Sequence, residues 1–425
     1  MMLPFYFLRV GQQAIKFRKR RISMSANGNR IDVDSDSIRT KSSDKRIDSR
    51  AQKKLRAKKK RKRRRIILAI EIIVLALLGC LLYFYSKFGK IDFKDVGKIS
   101  VNKLDNKTKD MLSGYTTLAL FGVDSRDQND YDSGNSDTII VCVIDNKAKE
   151  IKLMSVYRDT CLDATGDQTF RKCNYAYNHG GPSKAMEMLN RNLDLNIQDY
   201  VSVNWKALAD AVDAIGGIDV DVTKQESDAL MGNEYGVLAD TMYTLGRKTS
   251  GVGPGMQTLD GVQALAYCRI RHGAGDDYAR TERQRKVISL ITDKIKKGGA
   301  SRLNKVMDAV FPEISTSLKM DQILGLATNL SGYKFGQNTG FPFKKSSGTM
   351  GSAGSLIVPC TLKANVTLMY EYLYGEKNYA PSNTVQELSN MIEKRTGLHE
   401  KDAKDYKDPV FESTSGTGND KSGDN

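Results

Sequence analysis

The feature that most constrains this chain is an uninterrupted apolar stretch close to its start. Residues 66–85 read IILAIEIIVLALLGCLLYFY, which is twenty residues with a single charge, that of Glu71. A helix of this length rises about 30 Å, enough to cross the hydrocarbon core of a bilayer. The stretch is not followed by the small-residue cleavage pattern of a removed signal peptide. The sequence therefore predicts one uncleaved membrane-spanning helix at residues 66–86.

Positive charge is concentrated directly before this span. Residues 53–65 read KKLRAKKKRKRRR, with eleven cations in thirteen positions. Such a flank stays on the cytoplasmic side, so the basic tail at 1–65, which we predict to be disordered, lies inside the cell. Residues 1–65 hold 23 Lys+Arg and 5 Asp+Glu, whereas the rest of the chain holds 43 and 45. This local excess indicates topology and contact with anionic headgroups, and no nucleic acid partner is expected.

The apolar and polar composition divides the outer residues into three parts. We expect a polar, lysine-rich stalk at 87–112, a folded domain at 113–378 and a polar, mostly disordered tail at 379–425. Period-two and helical spacings of apolar residues alternate through the domain, which indicates a layered α/β fold. Strands are predicted at 116–124, 137–145, 150–159, 201–205 and 218–222, and helices at 182–195, 206–217 and 281–299. At the chain start, Met24 is an alternative translation start to Met1.

Several common chemistries lack the residues they need. The histidines His179, His272 and His399 are too scattered to suggest a zinc site. The sequence contains no GxSxG nucleophile elbow and no P-loop. The aspartates between 124 and 137 do not follow the spacing of a calcium-binding EF-hand loop. These classes of site are therefore set aside.

Arginine and aspartate collect instead at predicted strand ends and in the segment YCRIRHGAGDDYARTERQR (267–285). Arginine forks suit phosphate oxygens, and carboxylates suit Mg²⁺, which bridges phosphates. Converging guanidinium groups are unfavourable without a multiply charged anion between them. A surface network of ion pairs would give the same pattern, so the residues alone leave both interpretations open. The set comprises Asp124, Arg126, Asp137, Arg158, Asp159, Arg269, Arg271, Asp276, Asp277, Arg280, Arg283 and Gln284.

Two pairs of residues in the segment 267–285 are spaced so that their side chains are expected to point to one place. Arg269 and Arg271 alternate along a segment that we expect to be extended, so their side chains would point the same way. Asp277 and Arg280 lie three residues apart at the entry to the predicted 281–299 helix, whose N-terminal amides favour anions. All four groups could then face one diphosphate.

An ordered series of motifs across about residues 113–300 resembles the LytR–CpsA–Psr family. The resemblance implies an extracellular α/β/α domain with a central mixed sheet and a long apolar pocket for a lipid tail. It also implies a membrane-anchored enzyme of a Gram-positive bacterium. Such an enzyme moves a phosphoglycan, such as teichoic acid or capsule, from a polyprenyl pyrophosphate carrier onto peptidoglycan. The motifs are LALFGVDSRD, SDTIIV, MSVYRDT, KCNYAYNHGGP, DAVDAIGGIDVDV, LDGVQALAYCRIR and DDYARTERQRKVI.

The same resemblance implies a role for each matching residue. Asp124 and Asp137 match the family's metal-associated aspartates, with Mg²⁺ or Mn²⁺ as the ion. Either Asp277 or Asp159 would accept the proton of the attacking hydroxyl. The catalytic set is Arg158, Asp159, Arg271, Asp277 and Arg280. The pyrophosphate-binding set is Arg126, Arg158, Arg269, Arg271, Arg280, Arg283 and Gln284.

The chain also departs from the family pattern at two positions. Tyr157 stands where the family often has proline, and Asn135 stands where it often has arginine. The second departure removes one possible phosphate contact. Two other functions stay open, namely a pyrophosphatase that uses water as nucleophile and a non-catalytic regulator that binds lipid carriers.

The cysteines give one further prediction. Cys161 and Cys173 flank a polar loop on the outer side of the membrane, where a disulfide between them would contribute roughly 2–3 kcal/mol. Two thiols are the alternative. Cys80 lies in the predicted span, while Cys142 and Cys268 lie in apolar segments, where we expect buried thiols.

Overall fold

The apolar runs of the sequence form a mixed β-sheet in the computed structural model. It describes residues 53–64, 67–68, 71–72, 74–75, 83, 86–124, 134–232, 236–271 and 277–404. The chain divides into two units, Met1–Cys80 and Leu81–Asn425, and the fold below belongs to the second. The described strands are β1 Asp92–Phe93, β2 Tyr115–Asp124, β3 Asn135–Asp145, β4 Glu150–Val156, β5 Cys161–Asp163, β6 Phe170–Lys172, β7 Asp199–Asn204, β8 Ile218–Val222, β9 Gly255–Leu259, β10 Ile314–Thr316, β11 Lys334–Phe335, β12 Thr339–Phe341, β13 Lys345–Thr349 and β14 Ser355–Pro359.

Most helices of the described residues lie between these strands in the chain, and α9 and α10 follow the last strand. Two of the helices were predicted shorter than they are, because glycines break them internally. α2 is broken at Gly180 and Gly181, and α7 at Gly299. The helices are α1 Asn106–Ser113, α2 Tyr175–Leu193, α3 Trp205–Ala214, α4 Lys224–Met231, α5 Val237–Leu245, α6 Gly261–Arg269, α7 Asp277–Val310, α8 Met320–Asn329, α9 Leu362–Tyr374 and α10 Asn383–Thr396.

The main sheet has the order β1-β10-β7-β2-β3-β4-β11, and β12 also pairs with β4. The pairs β2–β3 and β3–β4 are antiparallel, whereas β2–β7 and β4–β12 are parallel. This mixed topology confirms the predicted α/β fold with a central mixed sheet.

The two faces of the sheet are buried under different helices. Because side chains alternate along a strand, Ala119 and Val141 join the cluster that includes residues of α2, α9 and α10. Leu118 and Ile140 point to the opposite face, where side chains of α7 and α8 cover them. Helices therefore lie on both sides of the sheet.

The predicted strands at the centre agree with the structure, with one shorter end. The strand predicted at 150–159 ends at Val156, so Arg158 and Asp159 lie in the following turn. The predicted hairpin turn at 145–149 joins β3 and β4, and Lys149 adopts φ 57° there.

Residues 87–112, predicted as a stalk, pack against the domain in the structure. β1 pairs with β10, and Phe88, Ile99 and Leu112 are buried. The average polarity of this segment conceals these widely spaced apolar residues, which determine where it packs.

The segment predicted as a mostly disordered tail also contains ordered structure up to residue 404. α10 buries Val385, Leu388 and Ile392. Ser382, which caps α10, donates from its Oγ to the Asp194 carboxylate at 2.6 Å. These contacts join α10 to the end of α2, and residues 405–425 of the predicted tail lie outside the described part.

The membrane prediction falls mainly on residues that are not described. Within the described part of the chain, no helix is long and apolar enough to cross a membrane. In the basic tail, residues 53–64 are helical rather than disordered, in keeping with the high helix propensity of lysine, arginine, leucine and alanine.

The predicted disulfide is wrong, because Cys161 and Cys173 are both thiols in the structure. The hairpin β5–β6 pairs Cys161 with Lys172 instead of Cys173. The Cys173 thiol donates to the Tyr157 carbonyl oxygen at 3.1 Å. Burial raises the pKa of the Cys161 thiol to about 12, so this thiol stays protonated at neutral pH.

Candidate active site

A cavity of about 420 Å³ opens between the main sheet and the helices α3, α6 and α7. Its walls are apolar over most of their area because β2, β3 and β7 each direct alternate residues into it. At one end the lining becomes charged. The apolar lining includes Leu120, Ile140, Val201, Val203, Leu208, Leu265 and Ile288, and the polar lining includes Asp137, Asn204, Arg269, Arg271, Arg280 and Gln284.

A β-bulge places Asp137 at the charged end. Gly122 pairs with Thr138, and the next residue of β2, Val123, pairs with Ser136. Asp137 falls between these pairs as the extra residue, and bulges of this kind re-aim a side chain beside a functional site. Arg280 Nη2 donates to the Asp137 carbonyl oxygen at 3.3 Å.

Guanidinium groups from three parts of the chain surround Asp137. Arg158 Nη1 lies 2.7 Å from Asp137 Oδ1, and Arg271 Nη2 lies 3.8 Å from Oδ2. Arg280, only 3% exposed, contacts the backbone of the same residue. Guanidinium groups that converge in this way suit the oxygens of a phosphate or diphosphate, which they can bind as planar forks.

Arg158 and Asp159 belong to the turn after β4. Arg158 Nε lies 3.8 Å from Asp159 Oδ1, and Lys172 Nζ lies 3.1 Å from the same oxygen. Asp159 is therefore engaged by two cations, a contact that suits it to orient Arg158.

Arg269 is the last residue of α6, so the expected extended segment is wrong at this position. Its guanidinium stacks on the ring of Trp205, 3.9 Å from the centroid. It also donates to Thr241 Oγ1 and to the Asp240 carboxylate of α5, both at 2.7 Å. Arg269 nevertheless lines the cavity, and its two hydrogen bonds join the C-terminal end of α6 to α5. The capping box of Asp260 and Gln263 that starts α6 was the sequence signal for this helix.

Arg283 does not join the cluster around Asp137. It is buried on the other side of α7, where Nη1 lies 3.6 Å from Glu226 Oε1 and Nη2 donates to the Ile270 carbonyl oxygen at 3.1 Å. Burial lowers the pKa of its guanidinium, while Glu226 opposes that change. The structure thus separates Arg283 from the residues with which its sequence position grouped it.

Gln284 does line the cavity. Its Nε2 donates to the Cys268 carbonyl oxygen at 3.5 Å, and its Oε1 has no hydrogen-bond partner among the described residues. This buried acceptor is available to a donor on a ligand in the cavity.

Four of the predicted residues are described in part or not at all. Asp124 ends β2 with its backbone paired to Asn135, and Asp277 begins α7, but the side chains of both lie outside the described part of the structure. Arg126 and Asp276 lie wholly outside the described residues.

Asp124 and Asp137 are the two residues that we predicted to hold a divalent cation. The two residues lie at the ends of adjacent antiparallel strands, and Mg²⁺ commonly binds one or two carboxylates together with substrate phosphates. In the part of the chain that is described, no group of three or more His, Cys, Asp or Glu residues could hold a metal.

The α/β domain thus holds an apolar cavity that is lined in part by guanidinium groups, a chemistry that suits an amphiphilic anion. A sequence model of the LytR_cpsA_psr family matches residues 81–340, and the chain belongs to this family.

Curated relatives and a solved structure agree with this membership. The chain is 34% identical over 213 residues to a polyisoprenyl-teichoic acid–peptidoglycan teichoic acid transferase TagU of Enterococcus faecalis, covering 50% of this chain and 64% of that protein. It is 31% identical over 218 residues to a TagU of Halalkalibacterium halodurans, covering 51% and 65%. Both matches span slightly less than two thirds of the relative. A Streptococcus agalactiae crystal structure is 25% identical with a TM-score of 0.53, covering 66% of this chain and 93% of that one.

Proposed function

We propose that this protein is a phosphotransferase that moves a phosphoglycan from a polyprenyl pyrophosphate carrier onto peptidoglycan. The observation that carries the proposal is the cavity, which is apolar along most of its wall and ends at the guanidinium cluster around Asp137. A lipid tail fits the apolar part, and a diphosphate fits the charged end. The names of the TagU relatives, which describe transfer of teichoic acid to peptidoglycan, support the same reaction.

The reaction is a substitution at the phosphorus next to the glycan. A sugar hydroxyl of the wall attacks this phosphorus, the bond to the bridging oxygen breaks, and polyprenyl phosphate leaves with the bonding electrons. Arg158, Arg271 and Arg280 stabilise charge on the diphosphate oxygens as the bond breaks. Most of the rate enhancement comes from positioning and from this neutralisation.

One carboxylate accepts the proton of the attacking hydroxyl. Asp159 already contacts Lys172 and Arg158, so we assign it the orientation of Arg158. We assign proton acceptance to Asp277, which begins α7 three residues before Arg280. The test is a comparison of Asp277→Asn and Asp159→Asn, in which the base variant loses transfer but retains binding of the lipid diphosphate.

Asp124 and Asp137 would hold Mg²⁺ or Mn²⁺ beside the arginine cluster. When bound, the ion supplies additional positive charge to the diphosphate oxygens. Removal of divalent cations with a chelator should abolish transfer, and Mg²⁺ should restore it.

We further propose that residues 66–86 anchor the protein in the cell membrane with the domain outside. The apolar stretch and the basic cluster at 53–65 support this topology. It places the cavity on the side of the membrane where peptidoglycan is assembled.

Product analysis tests the proposed function. The full-length protein is incubated with a polyprenyl diphosphate-linked glycan and peptidoglycan, and the products are separated. We expect glycan linked to peptidoglycan through one phosphate, together with polyprenyl phosphate. Free phosphate-ended glycan would indicate a pyrophosphatase, and unchanged substrate retained on the protein would indicate a binding protein.

A further inference from the structure

The hairpin β13–β14 lies beyond the residues that match the family and contacts the turn that carries Arg158. The Ile357 amide donates to the Asp159 carbonyl oxygen at 2.9 Å, and the Tyr157 amide donates to the Phe341 carbonyl oxygen at 3.1 Å. Residues on both sides of β13 therefore hold the backbone of this turn.

Lys345, the first residue of β13, directs its side chain inward from the hairpin. The residue is 0% exposed. Its Nζ lies 5.1 Å from the ring centroid of Tyr157 and 4.7 Å from that of Tyr278. The two rings contact each other edge to face, with centroids 4.6 Å apart. Both distances are within the range of cation–π attraction, which strengthens when the cation is removed from water.

A glycine makes room for this cluster. A Cβ on Gly340 would overlap the Tyr157 hydroxyl group, so the tyrosine can occupy its site only because position 340 has no side chain. Tyr157 is also the residue that replaces the proline common in the family.

The two tyrosines connect Lys345 to both sides of the arginine cluster. Tyr157 directly precedes Arg158, and Tyr278 lies two residues before Arg280 on α7. A shift of Lys345 would change the separation of two guanidinium groups that contact Asp137. A buried ammonium is unfavourable unless its surroundings stabilise it, and here the faces of two aromatic rings contribute.

We propose that Lys345 is a positioning residue of the diphosphate site. Held against the rings of Tyr157 and Tyr278, it fixes Arg158 and Arg280 around Asp137. The inference rests on the proposed function. It extends the site to a hairpin outside the family-matched residues 81–340.

Fluorescence of Trp205 provides a binding measurement that does not depend on turnover. It is the single tryptophan of the chain, it lines the cavity, and it stacks against Arg269. Full-length protein is titrated with geranylgeranyl diphosphate and, separately, with geranylgeraniol, which has the same chain without phosphates. We expect Lys345→Met to weaken diphosphate binding roughly tenfold and to leave alcohol binding unchanged. Lys345→Arg, which keeps the charge, should restore most of the affinity.

The adjacent lysine supplies a matched control. Lys344 lies at the surface with Nζ 2.5 Å from Glu400 Oε1, so Lys344→Met should bind both ligands as the wild type does. Wild-type diphosphate affinity in Lys345→Met, or an equal loss for diphosphate and alcohol, would overturn the inference. If Lys345→Met is unfolded by thermal melting, Tyr278→Leu removes one wall of the cluster and should show the same selective loss. Wild-type protein that binds both ligands equally would instead contradict the proposed function, and the inference with it.

Discussion

At the scale of single residues, Asp137 organises the site because its backbone and its carboxylate both contact arginines. Its carbonyl oxygen accepts from Arg280, and its carboxylate contacts Arg158 and Arg271. Each arginine arrives from a different element, so the cluster depends on the sheet and on α7 together.

Removal of one arginine should lower catalysis more than stability. We expect Arg271→Ala and Arg280→Ala each to reduce glycan transfer by roughly 10²–10³, about 3–4 kcal/mol of transition-state stabilisation. Lysine at either position should rescue only part of the rate, because a point charge cannot replace a bidentate fork. Transfer rates and melting temperatures are measured for each variant. The control is Arg302→Ala on the same helix, α7. Arg302 donates from its Nη1 to the Lys294 carbonyl oxygen. Near-normal transfer by both alanine variants would show that the cluster is structural.

Arg283 should behave in the opposite way, as a residue of the core. Arg283→Ala leaves Glu226 buried without its guanidinium partner, and loss of one member of a buried pair destabilises by about 3–5 kcal/mol. Urea unfolding followed by circular dichroism measures the change. Unchanged stability combined with weaker diphosphate binding would instead support the role that the sequence position implied.

Most of the charged residues that line the cavity were predicted from the sequence. The sequence could not show which residues of one helix face the cavity and which face the core. Arg280, Arg283 and Gln284 follow one another in a single motif, and only the rotation of α7 directs Arg283 away from the cavity. Trp205 and Lys345 were missed because neither lies in a charged motif. Their partners, Arg269 and Tyr278, are 64 and 67 residues distant in the chain.

At the scale of elements, the ends of helices and strands position the charged groups. α6 ends at Arg269, and α7 starts at Asp277. The alternation of Arg269 and Arg271 predicted an extended segment, whereas the capping box at Asp260 already indicated that a helix precedes. A capping motif therefore predicts secondary structure better than an alternation that covers only three residues.

The contact between β12 and the turn after β4 gives an element-scale prediction. Gly340→Ala should destabilise the protein by about 1–3 kcal/mol, the usual effect of overpacking, because the new methyl group overlaps the Tyr157 ring. The effect should shrink in a Tyr157→Leu background, as a double-mutant cycle of urea unfolding would measure. Gly253→Ala, at a position with open space around it, is the control. Equal effects in both backgrounds would refute the contact.

At the scale of the whole molecule, the mixed sheet could be predicted because its central strands are long apolar runs. The two ends of the domain could not be predicted, because residues 87–112 and α10 carry few apolar side chains. Those few side chains indicate packing only once the surface that they pack against is known. The basic cluster at 53–65 belongs to this scale too, because it predicts which side of the membrane the domain occupies.

Topology should follow the position of that cluster. Protease added to wall-stripped cells should remove the domain after residue 86, because a cationic flank resists translocation. Replacement of the eleven cations of 53–65 with uncharged residues should give a mixed orientation. Full protection of the wild-type domain would contradict the proposed localisation.

The central claim is that a lipid-linked diphosphate binds with its tail in the cavity and its phosphates at the arginine cluster. Photocrosslinking tests it most directly, with a polyprenyl diphosphate that carries a photoreactive group on its chain and peptide mapping of the labelled full-length protein. We expect labelling in peptides that contain Leu120, Leu265 and Ile288, which line the apolar part of the cavity. Arg271→Ala should reduce this labelling. Labelling confined to other surfaces, with equal yield in wild type and Arg271→Ala, would contradict the central claim.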